Sequence, residues 1–524
     1  MMELGPTEGP TAPPAPGTAT ACHASRSQHC PHGTLGLAHW RLCLLLLLTA
    51  CVPAAATSTS TGTRPGIEAR LTQKALEFGR RFGLELLRSE LQKEHELNLR
   101  GSYKTPLLGT LTYTVPRIHI QELQMNDSTV AFAEEVGVRL ELQRARVLLR
   151  ADWGAQLGAF QDSGSVELHV QDLSLVAVLG VGTDDSGRPV VWSAGCDTRG
   201  TDLHLEFHHG HSWLYNLLTP LLRRTLQQQL NKQLCLELRR GIDRLGAALK
   251  EMKVTTQVDA FAAIDYSLLG PPAITGEHGD IALKGEFFRV DKAQQGPSSP
   301  LPMALPLLLP RLLPGTHRDM LLLAVTDFLT NSAAFTYFTA GALRRNISGD
   351  TLPRRFPLQL RTKSMGVFAP QLQERYPELP MELQLSARRQ PLLSCHPQAL
   401  HGALFGSAEA FVVLPDATRV PAFLLDIDVN VTGKPSIRGN RLGGTVKLTG
   451  LRVTQVTSRV GPVEVKRLET LLKFGLWLFG VPWANKQLQA GVPLPIPRGF
   501  SLLNPRLSLQ EGFVLIATDL QYEP

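Results

Sequence analysis

Ser165-Val-Glu-Leu-His-Val170, followed by Leu173-Ser-Leu-Val-Ala-Val-Leu179, decides the fold class. Val166, Leu168 and Val170 share one face; Ser165, Glu167 and His169 share the other. That period of two is what half-buried antiparallel strands need, so the stretch reads as two of them. A turn at Asp184-Asp-Ser-Gly-Arg-Pro189 leads to a strand holding Cys196. Thr201 to His208 alternates again, with Leu203, Leu205 and Phe207 inward. After Gly210 the period changes: from Leu214 to Leu249, leucine and isoleucine recur every three or four residues. This is one long helix with a wide apolar stripe, and Cys235 lies well along it. Pro220 bends the helix, unless the helix starts near Thr219. A helix this long and apolar reads as one laid along a strongly curved sheet. Cys196 and Cys235 would staple strand to helix if oxidised, a closure of about 3–4 kcal/mol in the chain-entropy model.

The Cys-bearing strand, Trp213-Leu-Tyr-Asn-Leu-Leu and Leu230-Asn-Lys-Gln-Leu-Cys235 together resemble one family. It is that of bactericidal/permeability-increasing protein, lipopolysaccharide-binding protein, and the phospholipid and cholesteryl ester transfer proteins. Pro65-Gly-Ile-Glu-Ala-Arg-Leu-Thr-Gln-Lys-Ala-Leu, Ile264-Asp-Tyr-Ser-Leu, Leu283-Lys-Gly-Glu-Phe-Phe and Gly491-Val-Pro-Leu-Pro agree with it, so the resemblance runs from Pro65 to the C-terminus. It implies an α+β fold: an elongated boomerang of two barrel-like modules, each a twisted antiparallel sheet with long helices, joined by a central sheet. It further implies that each module holds a phospholipid in an apolar pocket.

Residues 1–39 are rich in Pro, Gly, Ala, Thr and Ser and cannot build a core. Arg41 with Leu42 to Ala50 reads as the basic flank and apolar segment of a signal peptide, too short to span a bilayer. Pro53-Ala-Ala-Ala56 supplies the cleavage site, which makes Thr57 the mature N-terminus and the protein secreted and extracellular. Three cysteines then remain: one pair, Cys196 and Cys235, and an odd Cys395, buried or joined to another chain. Asn126, Asn346 and Asn430 head glycosylation sequons.

A first helix is expected from just after Pro65 to about Lys93, with Ile67, Leu71, Phe78 and Phe82 on its apolar face. The proline-rich run at 296–314 is an extended connector, and beyond it strands and a second long helix, broken near Pro482, repeat the plan. The resulting division is 1–56, a leader with signal peptide; 57–290, an N-terminal lipid-binding barrel; 291–318, a linker; and 319–524, a C-terminal lipid-binding barrel whose final strands return to the central sheet. Candidate pocket-lining residues are Leu71, Phe78 and Phe82 on the first helix and Leu221, Leu222 and Leu226 on the second.

Chemistry beyond lipid binding finds little support. His204, Glu206 and His208 point to one face of a strand and are of types that bind zinc, but that spacing does not itself set a tetrahedral site. The face is read as solvated, without a metal. No nucleophile elbow, Cys-x-x-Cys pair, His-Glu-x-x-His or phosphate loop occurs, so no catalytic residue is assigned and the chain is read as no enzyme. A zinc-dependent hydrolase is a minor alternative.

Charge is divided unevenly. Residues 57–290 carry 26 Lys/Arg against 28 Asp/Glu; from Asp291 onward the balance is 25 against 16. In the bactericidal and lipopolysaccharide-binding members a basic tip following a Trp is taken to engage lipid A phosphates. Trp153 matches that Trp, yet Gly154 to Asp162 contains no cation. The first reading is a secreted lipid-binding protein of innate immunity, antibacterial in setting, that binds lipopolysaccharide or phospholipid of Gram-negative bacteria. The alternative is a phospholipid carrier without that role. Partners are phospholipid or lipopolysaccharide and a bacterial outer membrane or lipoprotein surface, with no nucleic acid. Bound phospholipid is a ligand, and no cofactor is expected.

Overall fold

The computed structural model describes residues 65–91, 95–105, 109–199, 202–209, 211–292, 318–352 and 358–523. The expected leader and signal segment, and all but the ends of the expected linker, lie outside the described residues. Strand β1 (Ile67–Thr72) leads directly into helix α1 (Gln73–Leu91). Strands β2 (His95–Thr105), β3 (Gly109–Gln124), β4 (Asp127–Ala133), β5 (Gly137–Leu157), β6 (Phe160–Thr183), β7 (Pro189–Arg199) and β8 (Asp202–His208) follow. They form one antiparallel sheet in the order β2-β3-β5-β6-β7, with β4 also on β5 and β8 also on β6.

The sheet curls because its two longest strands break at the same level. Arg144 on β5 and Asp172 on β6 both sit at positive φ (53° and 54°), and the β5–β6 register shifts between Leu142 and Val147. Such bulges bend a strand and change its partner. Beyond the break β5 passes from β4 to β3, and β6 from β7 to β8. The two strands expected at Ser165–Val170 and Leu173–Leu179 are therefore one strand, kinked at Asp172.

Helix α2 (Ser212–Lys250) then runs 39 residues, past Pro220. The hydroxyl of Thr219 donates to the Tyr215 carbonyl at 2.7 Å within the turn that the proline interrupts. Cys196 on β7 and Cys235 on α2 form a disulfide with Cα atoms 5.8 Å apart.

The chain continues through β9 (Thr255–Gln257), β10 (Ala262–Asp265), β11 (Ala273–Ile274), β12 (His278–Leu283), β13 (Glu286–Arg289), β14 (Leu321–Thr326) and helix α3 (Asp327–Thr339). A second curled antiparallel sheet has β15 (Arg344–Ile347), β16 (Met381–Ala387), β17 (Leu392–Cys395), β18 (Leu400–Val413), β19 (Arg419–Arg438) and β20 (Arg441–Ser458). Helix α4 (Val465–Gly475) passes through a π-turn at Leu476–Gly480 into helix α5 (Val481–Ala490), with Pro482 in the first turn of α5. Strand β21 (Val492–Pro493) closes on β20, and β22 (Phe500–Gln510) and β23 (Phe513–Tyr522) end the chain.

Both halves meet in a six-stranded sheet ordered β11-β12-β1-β14-β23-β22. The expected first helix loses its opening turns to this sheet. Ile67, Ala69 and Leu71 alternate with Glu68, Arg70 and Thr72, and β1 pairs with β12 on one side and β14 on the other. A central strand covered on both faces buries its polar residues too, and β1 does so with Arg70 bonded to Asp280 and Thr72 to the Asp319 carbonyl. The last two strands, β22 and β23, form one edge of this sheet. Residues 262–287, grouped from sequence with the first barrel, share a core with Leu321, Leu323 and Ile516. Separate cores fill the first and second curled sheets.

Candidate functional site

Helix α2 packs against the face of the first sheet to which Val166, Leu168 and Val170 contribute, and Leu226 is buried there. Farther along, helix and sheet leave a narrow apolar cavity of about 60 Å³. β3 lends Ile120 and Leu123, β5 lends Val147 and Leu149, and α2 lends Leu234 and Leu238. Met125 closes one side, and Glu237 brings the cavity's single carboxylate, paired with Arg240 at 2.5 Å. A cavity of roughly 150 Å³ is needed to hold benzene, so a diacyl lipid enters this seam only if α2 moves off the sheet. The Cys196–Cys235 bond ties the middle of α2 to β7 and restricts that movement to one side or the other of it.

A second, polar cavity of about 260 Å³ adjoins the first. Arg81, Leu84, Glu85 and Arg88 of α1 line it together with Met125 and Asn126. Met125 lines both cavities, so the apolar seam and the arginine-lined mouth share one flexible thioether side chain. Arg81 and Arg88 are seven positions apart, two helical turns, and share a face. Arg88 donates to the Leu123 carbonyl at 3.0 Å, which anchors it at the rim. Guanidinium groups in this setting suit a phosphate or carboxylate headgroup.

The residues chosen from sequence divide. Leu71 is not on a helix: it faces Gly279 and Leu321 within the central sheet. Phe78 and Phe82 are on α1 but turn to the end of the chain, with ring centroids 6.5 Å from Phe500 and 4.6 Å from Tyr522. They seal α1 onto β22 and β23 and do not line the seam. Leu226 packs in the core beside the seam; the side chains of Leu221 and Leu222 lie outside the described residues. Leu234, Leu238, Met125, Arg81 and Arg88 were missed. Their signal was present in the α2 stripe, which continues past Leu226, and in the Arg81–Leu84–Arg88 face of α1.

At the far end of the β5–β6 hairpin, Trp153 is buried against Phe207 and Tyr215, which stack on one another at 4.9 Å. The cation-free hairpin is tied to the start of α2 through Asp162, which accepts from the His211 backbone N–H at 2.9 Å. That bond, more than the nearby imidazole, holds the Asp162 carboxyl below its usual range.

In the second half, α4, the π-turn and α5 leave large apolar side chains exposed to solvent. Trp477 is 63% exposed and Trp483 57%; Phe474, whose ring centroid is 6.3 Å from that of Trp477, and Leu478 are exposed as well. Lys466, Arg467, Lys473 and Lys486 are exposed on the same helices. Asn126, Asn346 and Asn430 are all exposed, as glycan attachment requires, and Asn126 sits at the rim of the polar cavity. Cys395 is buried and unpaired; burial, with Asp327 and Glu511 nearby, pushes its thiol up to about 12. A thiol reagent at pH 8 is expected to leave Cys395 unmodified in the native protein and to label it after denaturation. Rapid native labelling would contradict this burial.

Comparison with known proteins agrees with this architecture. Residues 75–246 match the N-terminal domain of the LBP / BPI / CETP family and residues 256–522 its C-terminal domain. Bactericidal permeability-increasing protein of Sebastes schlegelii is 32% identical over 92% of this chain and 99% of the relative. Human lipopolysaccharide-binding protein is 28% identical over 94% and 99%. A crystal structure of lipopolysaccharide binding protein superposes with a TM-score of 0.57 at 27% identity, covering 88% of this chain and all of that one. Two curled sheets with long helices, a shared central sheet and both domain matches in order lead to one conclusion: the chain belongs to the LBP / BPI / CETP family.

Proposed function

We propose that this chain is a secreted lipid-binding protein of innate immunity. It takes an acyl lipid with an anionic headgroup, lipopolysaccharide or phospholipid of Gram-negative envelopes, into the first module. The observation that carries this is the pairing of a dry seam under α2 with an arginine-lined mouth across Met125. The chains lie along Leu234 and Leu238 and the headgroup lies at Arg81 and Arg88. Relatives named for bactericidal action and lipopolysaccharide binding support the setting. The disulfide and the exposed sequons support an oxidising, secretory route. The surface partner is an anionic membrane or lipoprotein face, met by the Trp477–Trp483 side of the second module.

Organic extraction and mass spectrometry of the full secreted protein test the reading. The parent is expected to carry acyl lipid, and a folded Leu238→Glu protein to carry much less, because a carboxylate in the seam is costly to desolvate. Phe82→Trp is expected to leave lipid content unchanged, since Phe82 packs on Tyr522. A parent protein free of lipid would overturn the proposal.

A phospholipid carrier without an antibacterial role is the second reading, favoured by the absence of any cation from Gly154 to Asp162. Fast vesicle-to-vesicle transfer without endotoxin binding would select it.

A further inference from the structure

The histidine-rich strand acquires new neighbours in the fold. β8 pairs antiparallel with β6, which sets Glu167 opposite Glu206, His169 opposite His204 and Ser165 opposite His208. All six side chains belong to one outward face. Two carboxylates directly opposite across an antiparallel pair repel, and nothing in strand geometry requires them there.

The polar atoms around that pair are poorly satisfied. His169 Nε2, His208 Nε2 and Ser165 Oγ are buried without a hydrogen-bond partner, three of the six such side-chain atoms among the described residues. The donor spacings explain why. His208 Nε2 stands 3.7 Å from Glu167 Oε2, His204 Nε2 3.6 Å from Glu206 Oε1, and His169 Nε2 4.0 Å from Glu206 Oε1. These gaps are too long for hydrogen bonds. They approach the separation of two ligand atoms around one tetrahedral ion, about 3.3–3.5 Å for bonds of about 2.0–2.1 Å. Ligand atoms of Glu167, Glu206 and His208 all lie within 4.8 Å of one another. Arg150, 3.9 Å from the other Glu167 oxygen, is the nearby cation and neutralises only part of the charge.

We propose that this face is a binding site for a divalent transition-metal ion, Zn²⁺ in the first instance, held by Glu167, Glu206 and His208. The fourth position is left to water or to His169. Imidazole with carboxylate suits zinc, which imposes no strict geometry of its own. The ion relieves the Glu167–Glu206 repulsion and employs the His208 Nε2, which makes no hydrogen bond. It clamps β8 to β6 beside the point where the chain turns into α2, so its role is to brace the wall of the first module. Glu167, Glu206 and His208 line neither described cavity.

The test uses the full secreted chain, purified without a histidine tag and stripped with chelator. Titration with Zn²⁺ against a chromophoric competitor is expected to give one equivalent bound at micromolar Kd or tighter. Co²⁺ in its place is expected to give the visible bands of a four-coordinate site. Glu167→Gln with Glu206→Gln should weaken zinc binding at least a hundredfold, and its melting temperature without metal should equal or exceed the parent's, since the like-charge pair is gone. His209→Gln with His211→Gln should bind as the parent does. The proposal is overturned if the parent binds no better than at millimolar zinc, if the Glu variant keeps its affinity, or if the His209/His211 variant loses it. The last result would assign the metal to surface histidines of the adjoining loop.

Discussion

Replacing Arg70 by Met is expected to destabilise the protein by about 3–5 kcal/mol, the usual result of removing one partner from a buried ion pair. Arg70 is 7% exposed on β1, at the middle of the central sheet. Its Nε and Nη2 donate to the two carboxylate oxygens of Asp280 at 2.7 and 2.8 Å, a bidentate pair set by the direct Arg70–Asp280 register. Without the guanidinium, the Asp280 carboxylate loses its bidentate cation and retains the His278 imidazole 3.4 Å away. The methionine fills similar volume, so the loss reports the stranded charge rather than a cavity. Arg70→Met with Asp280→Leu should recover most of it, because an apolar pair of matched size has no desolvation to offset. Thermal and urea unfolding of the parent, both single variants and the double variant form the cycle. A single Arg70→Met protein within 1 kcal/mol of the parent would show that the pair does not hold the sheet together.

The same strand explains what could be read from the chain and what could not. β6, β8 and α2 were legible because each turns one face to a core and the other to water. Alternation or a three-four repeat therefore survives in the sequence. β1 has polar and apolar residues both buried, and its first helix turn follows without a break, so its alternation merged with the helical pattern. The partner that makes Arg70 tolerable lies 210 positions away. The candidate sites follow the same rule. Cys196 and Cys235 announce themselves by residue type. The seam was half visible as a leucine stripe, but Met125, which borders both cavities, lies between strands where no periodicity applies. His204, Glu206 and His208 were visible on one strand; Glu167 and His169 join them only through the register of β6 with β8.

Substituting both Trp477 and Trp483 with Ala is expected to weaken binding to vesicles containing anionic phospholipid at least a hundredfold, with no change in fold. Neither ring is in a core: both are more than half exposed, Trp477 within the π-turn that joins α4 to α5 and Trp483 in the first turn of α5. A tryptophan side chain offers roughly 150–250 Å² of surface. Immersing about half of it at about 25 cal/mol per Å² contributes roughly 2–3 kcal/mol per ring. The pair therefore accounts for two or more decades of affinity. Indole rings settle at the headgroup level, and lysine stems reach past apolar groups to the phosphates, so the two residue types on this face suit one surface. Lys466, Arg467, Lys473 and Lys486 supply the charge, which matches the basic excess of the second half of the chain. Parent binding should accordingly fall as salt rises from 0.1 to 0.5 M, where the Debye length shrinks below about 10 Å, while the Trp contribution persists. Vesicle flotation with the parent, the double Trp variant and a Lys466→Gln, Lys473→Gln variant separates the two contributions. Equal binding by the Trp variant and the parent would remove this face from membrane contact. If the parent instead proves to be a dimer that the Trp variant breaks, the exposed rings belong to an interface between two copies.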